Sequence, residues 1–464
     1  MSLASVVEPT GAGARVPAVV RDLELSEALP AIPATDPAGR RADRIWLLVR
    51  LFTEPLGFAV LDVPDGGLAP EQLAGAVLAR FGPAIAERVA AAGGIADGQL
   101  PVGGITVPGP VPFLARREEV LRDAPPITVV VCTRERPEQL AACLDSLLDQ
   151  AYPRLRVLVV DNAPATDATA RVARAAAERG PVDYLVEPVP GLSRARNRAV
   201  ASAPGEILAW IDDDERADRY WLAEVARALA DHPDASVVSG VIVPAELETQ
   251  AQLLFEQFGG HSKGRGFTPD VFGPATAHRQ SPLYPLPPFG TGANMTFRPG
   301  VIERIGGFDR ALGAGTPAMG SEDTLAFTQV LRKGGTIVYQ PSAICRHYHR
   351  RDLDGLRRQM RGYGCGLTAA YTSLVLHNPL VLFPLLRLIP TALRDLNGDD
   401  SLRNAGLDEN FPAELMSANR RGMLAGPLAY LRGLLAPRRA TGLGRRAAPD
   451  APSQTSRTQT MRRT

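Results

Sequence analysis

Short apolar runs alternate with amphipathic stretches through the middle of the chain. The first run, residues 127–131, contains only β-branched residues, which is typical of a strand buried on both faces of a sheet. Residues 137–150 then place their apolar side chains on one helical stripe. The same alternation predicts strands at 156–160, 182–186, 207–211 and 235–243, and helices at 167–179, 193–203 and 220–230. Strands that alternate with helices favour right-handed crossovers and a parallel sheet.

The pattern changes on either side of this region. Two strand-like runs, 46–51 and 57–63, and two helical stretches, 70–80 and 83–92, predict a small α+β accessory domain. Beyond residue 352 the pattern is helical. We therefore predict five segments: a disordered N-terminus at 1–42, the accessory domain and its linker at 43–122, an α/β domain at 123–350, a helical region at 351–436 and a disordered basic tail at 437–464.

Within the helical region, residues 374–393 are largely apolar but contain Pro379, Pro384 and Pro390. They form no uninterrupted apolar span of about 20 residues, so we predict no transmembrane helix there. Two interpretations of this segment stay open. Either it packs against the preceding domain, or it lies at the surface of a bilayer, where nearby arginines favour anionic lipid.

The bulk charge of the chain excludes one class of partner. The 51 basic and 50 acidic residues leave a net charge of +1, without the broad positive field on which nucleic-acid binding depends. The four cysteines show neither metal-type pairing nor the density of a disulfide framework, which favours a reducing compartment. Because the first residues lack the pattern of a signal peptide, we expect a cytoplasmic protein, peripheral at the inner face of the membrane if 374–393 contacts lipid.

An acidic cluster follows the strand predicted at 207–211. Asp212, Asp213 and Asp214 are consecutive, and in an extended segment Asp212 and Asp214 would share a face. Two converging carboxylates repel each other unless a cation lies between them, and a hard divalent ion that also takes phosphate oxygens would suit this position. The hypothesis is a clamp for Mg²⁺ or Mn²⁺ and a diphosphate. The alternative is a solvated acidic turn that caps the next helix.

Other polar residues fall where a ligand of such a sheet would bind. Ligands of open α/β sheets bind at the carboxyl ends of the strands, which is where Thr133 and the pair Asp161 and Asn162 lie. Gly290 and Gly292 would let the backbone approach a ligand, although a simple turn explains them equally well. Three more residues have two possible interpretations each. Glu322 and Asp323 are functional carboxylates or helix caps. His347 is a metal ligand or a surface histidine.

Taken together, these segments resemble a bacterial family-2 nucleotide-sugar glycosyltransferase of the GT-A fold. The resemblance covers about residues 126–350. The matching pieces are Val-Val-Val-Cys-Thr-Arg at 129–134, Val-Val-Asp-Asn at 159–162, Gly-Leu-Ser-Arg-Ala-Arg-Asn at 191–197, Asp-Asp-Asp at 212–214, Gly-Thr-Gly-Ala-Asn at 290–294, Glu-Asp at 322–323, and His347. It implies a Rossmann-like mixed sheet flanked by helices, and an inverting, metal-dependent transfer of a sugar in polysaccharide or glycoconjugate synthesis of the cell envelope.

The resemblance also implies roles for individual residues. Asp212 and Asp214 would bind Mg²⁺ or Mn²⁺ with His347, and Asp323, or else Glu322, would be the general base. Thr133, Asp161 and Asn162 would hold the base and ribose of the donor, and Arg194 and Arg196 its pyrophosphate. The full nucleotide-sugar-binding set implied is Thr133, Arg134, Asp161, Asn162, Arg194, Arg196, Asn197, Asp212, Asp213, Gly292, Ala293 and Asn294.

Departures from the family pattern bear on the substrates. Glu135 and Arg136 stand where an aromatic residue and an asparagine are frequent, which leaves the nucleotide open. The arginine-rich segment 357–361 has no following tryptophan, so a single addition is favoured over processive synthesis. The acceptor is a sugar, a lipid-linked or a small-molecule hydroxyl. Alternatives are a sugar-nucleotidyltransferase, disfavoured because no glycine-rich loop follows 127–131, and a catalytically silent nucleotide-sugar-binding scaffold.

Overall fold

The computed structural model describes residues 17–35, 39, 41, 43–95, 97–262, 265–276, 280–286, 288–398, 401, 404, 407 and 410–436. The expected tail at 437–464 lies outside the described residues. Twelve α-helices occur in the part of the chain that is described. They are α1 Pro70–Ala91, α2 Pro112–Arg122, α3 Pro137–Leu148, α4 Ala168–Ala177, α5 Leu192–Ser202, α6 Trp221–Asp231, α7 Gln250–Gln257, α8 Val301–Ile305, α9 Glu322–Arg332, α10 Leu353–His377, α11 Leu382–Asn397 and α12 Ala413–Leu435.

The strands form a small and a large sheet. The small sheet contains β1 Ala18–Glu24, β2 Arg44–Leu51 and β3 Glu54–Asp62. Nine strands of the described chain form the large sheet: β4 Ile127–Thr133, β5 Leu155–Asn162, β6 Val182–Glu187, β7 Ile207–Asp212, β8 Glu215–Ala217, β9 Ala235–Pro244, β10 Asp270–Phe272, β11 Asn294–Phe297 and β12 Thr336–His347. Every element predicted between residues 127 and 243 is present, with bounds within two residues of those predicted.

The large sheet is mixed. Its strand order is β10-β12-β9-β11-β7-β4-β5-β6, and β8 pairs with β12. Strands β4 to β7 are parallel to their neighbours in this group, as the alternation predicts, but β11 inserts antiparallel between β7 and β9. The expected α/β class, with a mixed sheet flanked by helices and a helical C-terminal region, is confirmed. The parallel group brings the carboxyl ends of β4, β5 and β7 to one edge.

The small N-terminal sheet packs on the large one. Strand β1 runs parallel to β2, so the disorder expected for 1–42 is wrong for residues 18–24; residues 1–16 lie outside the described chain. The backbone N–H of Ala18 donates to the carbonyl of Leu247 at 2.9 Å. The rings of Trp46 and Phe58 join the same buried cluster as Ala18 and Leu247. The sheet therefore shares part of the core of the α/β region.

Helix α1 is continuous where the sequence predicts two helices. Pro83 lies inside it and cannot donate the usual backbone hydrogen bond. Leu73, Val77, Ile85 and Val89 are nevertheless buried along one face of the whole helix. Burial of this stripe against the small sheet offsets the missing bond, which is why the proline does not end the helix.

The C-terminal helices α10 and α12 pack in close contact. A Cβ atom on Gly364 would lie 2.0 Å from the carbonyl oxygen of Asn419, and one on Gly422 would lie 2.1 Å from that of Arg361. Only glycine permits two helix backbones to approach this closely. No helix in the described chain has the length and apolar character that crossing a membrane requires.

Candidate active site

A large cavity opens at the carboxyl ends of β4, β5 and β7. The register of these strands places Thr133 opposite Asp161 and Cys132 opposite Asp212. The N-terminal end of α9 and residues of α10, α11 and α12 line the other side. The volume of the cavity is about 1120 Å³, whereas small-molecule sites usually measure about 300–1000 Å³. The cavity is therefore slightly larger than a usual small-molecule site.

The middle residue of the acidic cluster is held by protein groups. The hydroxyl of Thr133 donates to Oδ2 of Asp213 at 2.7 Å, and Nη1 of Arg136 donates to Oδ1 of Asp213 at 2.9 Å. The same guanidinium donates to Asp214 at 3.1 Å. Asp213 is buried, so these bonds compensate its ionised carboxylate. Thr133 and Asp213 thus shape the floor of the cavity.

Asp212 and Asp214 differ in how the protein occupies their carboxylates, because Asp214 accepts a hydrogen bond from Arg136 and faces His347, whereas Asp212 faces Arg196. Asp212 is half-buried, and the guanidinium of Arg196 lies 3.8 Å from its Oδ1 atom. Strand β7 ends at Asp212 and a turn follows. The extended geometry from which we expected these two residues to share a face therefore does not continue through the cluster. Both residues nevertheless line the cavity.

The two carboxylates differ in their protonation. Burial raises the pKa of Asp212 to about 6, although Arg196 opposes this effect. Burial acts on Asp214 in the same direction, but His347 and Arg136 outweigh it and hold its pKa well below the usual range. Asp214 is therefore ionised at neutral pH. A second positive charge in the cavity would favour the ionised form of Asp212 as well.

A fourth carboxylic acid lies beneath the cluster. Glu215 is fully buried, and its Oε2 atom accepts a hydrogen bond from the backbone N–H of Asp212 at 3.3 Å. Burial, together with the charges of Asp212 and Asp214, raises the pKa of Glu215 well above its usual value. A neutral Glu215 adds no further negative charge to the cluster, and it ties the turn back to the end of β7.

Two histidines and a glutamate continue inward from Asp214. Nε2 of His347 lies 3.5 Å from Oδ1 of Asp214. Nδ1 of His347 lies 2.9 Å from Nδ1 of His349, and Nε2 of His349 lies 2.7 Å from Oε1 of Glu256. If His349 donates its Nε2–H to Glu256, its Nδ1 atom accepts from Nδ1–H of His347. In that arrangement Nε2 of His347 would offer its lone pair to a cation bound beside Asp214, whereas without a cation an N–H group at Nε2 donates toward Asp214.

A third histidine lies beside this chain of hydrogen bonds. The rings of His261 and His347 are 4.5 Å apart between centroids. One nitrogen atom of each of His261, His347 and His349 falls within 4.8 Å of the others. Burial lowers the pKa of His349, which is therefore neutral at pH 7. His347 thus stands between the carboxylates, on its Nε2 side, and the other imidazoles.

Two of the three expected ligands, Asp214 and His347, are spaced as ligands of one divalent cation, whereas the ligand atoms of Asp212, Asp214 and His347 do not all lie within 4.8 Å of one another. Adjacent ligands of such an ion, with bonds of about 2.1 Å, lie about 3–3.5 Å apart. The 3.5 Å between Nε2 of His347 and Oδ1 of Asp214 agrees with that spacing. The ionised Asp214 and the partly exposed Asp212 supply oxygen atoms, which Mg²⁺ and Mn²⁺ both prefer.

The carboxylate of Asp323 is held at the opposite wall by two backbone donors. The N–H of Gly292 donates to Oδ2 at 2.6 Å, and the N–H of Thr324 donates to Oδ1 at 2.6 Å. A Cβ atom on Gly292 would lie 2.8 Å from Nη2 of Arg196 and 3.0 Å from Cβ of Asp323. Glycine at this position therefore lets the loop reach the carboxylate.

Glu322 lies behind Asp323 and is buried. Nη1 of Arg196 donates to its Oε1 atom at 2.9 Å. Burial, only partly opposed by Arg196, raises the pKa of Glu322 to about 7. Nη2 of Arg196 donates to the carbonyl of Gly292 at 3.0 Å, so one guanidinium fixes both the loop and Glu322. Arg196 therefore organises the wall of the cavity.

Most, but not all, of the residues expected at the site line the cavity. Those that do are Thr133, Arg134, Asn162, Arg196, Asp212, Asp213, Asp214, Gly292, Ala293, Glu322, Asp323 and His347. Asp161, Arg194, Asn197 and Asn294 do not. Asn197 bridges the backbone of Phe308, and the buried amide of Asn294 donates to the carbonyls of Val241 and Ala343. These two asparagines stabilise the fold around the site.

Asp161 and Asn162 are also occupied by the protein. The hydroxyl of Tyr184 donates to Asp161 at 2.7 Å. The side chain of Asn162 donates to the carbonyl of Val189 and accepts from the N–H of Gly191. Asn162 thus fixes the loop that leads into α5.

Sequence reasoning missed several residues at the site. Arg136, Arg350 and Arg358 line the cavity. Nη2 of Arg350 lies 4.0 Å from Asp214. Glu256 and His349 were missed because helix α7 and the end of β12 are distant in sequence; the short spacing of His347 and His349 was the available signal.

Part of the chain is similar to a known protein family. A model of glycosyl transferase family 2 matches residues 128–306. Residues 128–306, less than half of the chain, are thus similar to glycosyl transferase family 2. The matched range includes the acidic cluster, Arg196 and Gly292, and it ends before Asp323 and His347. The glycosyltransferase predicted from the sequence is confirmed at the level of this matched range.

Two relatives are similar to part of the chain. The glucosyl-dolichyl phosphate glucuronosyltransferase of Haloferax volcanii is 25% identical over 197 residues, which cover 40% of this chain and 57% of that protein. The succinoglycan biosynthesis protein ExoM of Rhizobium meliloti is 31% identical over 225 residues, which cover 47% of this chain and 65% of that protein. The chain thus spans less than two thirds of the length of these relatives.

Two solved structures match the chain at lower identity and with TM-scores below 0.5. A mannosyltransferase of Pyrobaculum calidifontis in complex with GDP-Man and Mn²⁺ is 22% identical, with a TM-score of 0.39, over 70% of this chain and 80% of that chain. TarS of S. aureus, residues 1–349, is 14% identical, with a TM-score of 0.36, over 66% of this chain and 92% of that chain.

Proposed function

We propose that the protein transfers a sugar from a nucleotide-diphosphate donor to a hydroxyl group of an acceptor, with inversion at the anomeric carbon and with a divalent metal. One observation supports this proposal above the others. The carboxylate of Asp323, oriented by two backbone N–H groups, shares one cavity with Asp212, Asp214 and His347. A base and a cation site in the same cavity are what a single displacement at a sugar diphosphate needs.

The donor diphosphate would bind near the acidic cluster. Arg134, Arg136 and Arg350 line the cavity beside Asp214, and their planar guanidinium groups suit phosphate oxygens. Arg196 is less suited to this role than the sequence predicts, because Glu322 and the carbonyl of Gly292 already occupy it. A bound Mg²⁺ or Mn²⁺ would neutralise negative charge on the leaving nucleotide diphosphate. Asp212, Asp214 and His347 would hold that ion.

Asp323 would accept the proton of the attacking hydroxyl. Both of its oxygens accept backbone hydrogen bonds, which fix the carboxylate while lone pairs remain for the acceptor. Glu322 is the poorer candidate, because it is buried and paired with Arg196. Attack from the face opposite the leaving group inverts the anomeric centre. An α-linked donor therefore gives a β-linked product.

The acceptor and the cellular context are part of the same proposal. The two relatives named above carry names that point to a dolichyl phosphate-linked sugar and to succinoglycan. They support synthesis of a polysaccharide or glycoconjugate, with a sugar, lipid-linked or small-molecule acceptor. We place the protein in the cytoplasm, peripheral at the inner face of the membrane through residues 374–393.

Thermal unfolding against a panel of nucleoside diphosphates, with and without Mn²⁺, tests the donor site. A ligand that binds only the folded state raises the melting temperature. We expect a metal-dependent rise with one nucleotide and no rise in Asp214→Ala. If a nucleoside triphosphate raised the melting temperature and no diphosphate did, that result would favour the interpretation as a sugar-nucleotidyltransferase. No rise with any nucleotide in a folded sample would contradict the donor site.

Transfer itself separates the enzyme from a silent scaffold. Once the nucleotide is known, its sugar donors are incubated with the protein and Mn²⁺, and release of the nucleoside diphosphate is measured. Proton NMR of the product then gives the anomeric configuration. Retention of configuration would refute the direct displacement, and binding without release would indicate a scaffold.

A further inference from the structure

Exposed apolar side chains are concentrated at the C-terminal end of the described chain. Among the described residues, 18 large hydrophobic side chains are exposed, and 12 of these lie between residues 376 and 435. Soluble proteins rarely keep so many apolar side chains together in water without a binding role.

Helix α11 is apolar on two adjacent faces. Leu385 and Leu388 face the interior, where they pack against the buried cluster around Leu374 and Tyr430. Phe383, Leu386 and Leu393 face outward. The inner face agrees with the interpretation in which residues 374–393 pack against the preceding domain. The outer face is left over once that packing is complete.

Helix α12 repeats this arrangement. Leu424, Leu428, Leu431 and Leu435 recur every three or four residues and are exposed, which places them on one outward stripe. Leu424 and Leu435 are 85% and 84% exposed. The opposite side of the helix packs on α10, where Tyr430 is fully buried.

Arginine is the prevailing charged residue on α11 and α12, and their two acidic residues, Asp395 and Glu414, lie near the helix ends and bind Tyr284 and Arg357. The sequence contains no Asp or Glu between residues 374 and 394 or between 415 and 435. The same stretches contain Arg387, Arg394, Arg420, Arg421 and Arg432. Apolar side chains bordered by arginines complement the head groups and outer acyl chains of an anionic bilayer. A protein partner would need acidic side chains placed opposite these arginines. The head groups of anionic lipids supply negative charge over the whole bilayer surface, so no such placement is needed.

The same two helices also line the cavity from inside. Ala392 and Leu396 of α11 and Met423 of α12 form this wall, beside Leu367 and Tyr371 of α10. None of these five side chains carries a charge, although Arg358 and Gln359 of α10 and Asn419 of α12 line the same cavity. Asp323 and the acidic cluster line the same cavity.

We propose that the outward faces of α11 and α12 bind the surface of an anionic bilayer, and that the uncharged wall of the cavity receives an acceptor with an apolar anchor from that bilayer. The docking surface extends beyond residues 374–393 to α12. The lipid-anchored acceptor rests on the proposed glycosyl transfer, whereas bilayer binding does not. Docking through these helices would place the cavity at the lipid surface, where the head group of such an acceptor is available.

Flotation of the full chain tests the docking surface. Vesicles of phosphatidylcholine mixed with phosphatidylglycerol are compared with vesicles of phosphatidylcholine alone. We expect flotation with the anionic vesicles and about tenfold weaker binding in the double variant Leu386→Ser/Leu428→Ser. Ile95→Ser is the matched control, because Ile95 is 92% exposed in the distant N-terminal part. Unchanged binding in the double variant, or no flotation with anionic vesicles, would overturn the proposal.

Two further measurements identify the occupant of this surface. Vesicles of brominated phospholipid should quench the fluorescence of the tryptophan introduced by Leu386→Trp or by Leu428→Trp. They should not quench the fluorescence of the tryptophan introduced by Ile95→Trp. The oligomeric state in solution is measured by light scattering. A wild-type dimer that becomes a monomer in Leu386→Ser/Leu428→Ser, without lipid binding, would assign the surface to a second copy of the chain and overturn the lipid docking.

The acceptor cavity is tested without any transfer reaction. n-Dodecyl phosphate, kept below its micelle concentration, is compared with methyl phosphate in Leu386→Ser/Leu428→Ser, in which the outer surface is weakened. We expect only the long-chain phosphate to raise the melting temperature, and we expect Ala392→Trp, which fills the inner wall, to abolish that rise. Equal effects of both phosphates, or a rise that persists with Ala392→Trp, would refute the apolar acceptor site. Neither outcome depends on the identity of the donor.

Discussion

The backbone N–H of Gly292 donates a hydrogen bond to Oδ2 of Asp323 at 2.6 Å. This bond orients the proposed base from a loop rather than from its own helix. In Asp323→Asn the amide retains the shape of the side chain but cannot take a proton. We expect kcat to fall by about 10²–10⁴, the usual contribution of a general base, with little change in the affinity for the donor. Turnover and calorimetric titration of the nucleotide measure the two effects.

Glu322→Gln provides the contrast for this prediction. It removes the charge that pairs with the buried guanidinium of Arg196 at 2.9 Å. We expect a loss of about 1–3 kcal/mol in the free energy of unfolding, because Arg196 loses a charged partner. Urea denaturation measures this loss. If Asp323→Asn keeps full activity while Glu322→Gln is inactive but stable, then Glu322 is the base.

Glu256 should act on metal binding through two imidazoles. It lies 2.7 Å from Nε2 of His349, which in turn lies 2.9 Å from His347. In Glu256→Gln the side-chain amide can donate a hydrogen bond to Nε2 of His349, which favours the tautomer of His349 that is protonated at Nδ1. His349 then donates to His347 instead of accepting from it. We expect the affinity for Mn²⁺ to fall by about 10–100-fold, as is typical when a partner of a metal ligand is lost.

The matched control for this variant is Glu246→Gln. Glu246 lies on the same side of the molecule and pairs with Arg351, but it makes no hydrogen bond to His349. Titration of Mn²⁺ by electron paramagnetic resonance, in the presence of the nucleotide, measures the affinity of both variants. Equal affinities in the two variants would show that Glu256 does not orient His347.

Local patterns account for much of what the sequence predicts correctly. The β-branched run at 127–131 and the apolar stripe of Leu140, Leu144 and Leu147 each specify their own element, and the strand ends then lie together by the geometry of a parallel sheet. The acidic cluster and Asp323 are visible for the same reason, since each adjoins the end of a predictable element.

Contacts between distant segments account for what the sequence does not predict. Strand β11 inserts antiparallel through pairing with β7 and β9, which no local pattern of residues 294–297 encodes. Asn197 and Asn294 belong to the motifs that resemble the family, yet their amides bind the backbone near Phe308 and Val241. A motif shows that a residue type is needed, but only packing shows whether that need is chemical or structural.

The close contact between α10 and α12 should be intolerant of larger side chains. A Cβ atom on Gly426 would lie 2.0 Å from Oγ1 of Thr368 and 2.4 Å from the carbonyl oxygen of Cys365. In Gly426→Val the helices must separate, so we expect a loss of about 1–3 kcal/mol in the free energy of unfolding. Ala425→Val on the same helix is the control for placing a β-branched side chain at a neighbouring position. Chemical denaturation compares them, and equal stability would contradict the close packing.

In the ligand-free protein, Asp161 should lower the free energy of unfolding. It is fully buried, and its Oδ1 atom has no hydrogen-bond partner among the described residues. Burial raises its pKa to about 6, although the hydroxyl of Tyr184 opposes this effect. A carboxylic acid with a raised pKa favours folding most below its unfolded pKa of about 3.9, and this contribution is lost as the pH rises through about 6. Ionised Asp161 therefore destabilises the folded protein at neutral pH.

Asp161→Asn should remove that cost. The amide oxygen still accepts from Tyr184, so we expect a gain of up to about 2–3 kcal/mol in the free energy of unfolding at about pH 8 and no gain near pH 4. Asp183→Asn is the control, because its carboxylate is 56% exposed on the neighbouring strand β6. If Asp161 is retained to bind the base of the donor, then Asp161→Asn should also bind the nucleotide more weakly. Urea denaturation at the two pH values and calorimetric titration measure both effects. A gain of equal size at both pH values would show that burial of the charge is not its cause.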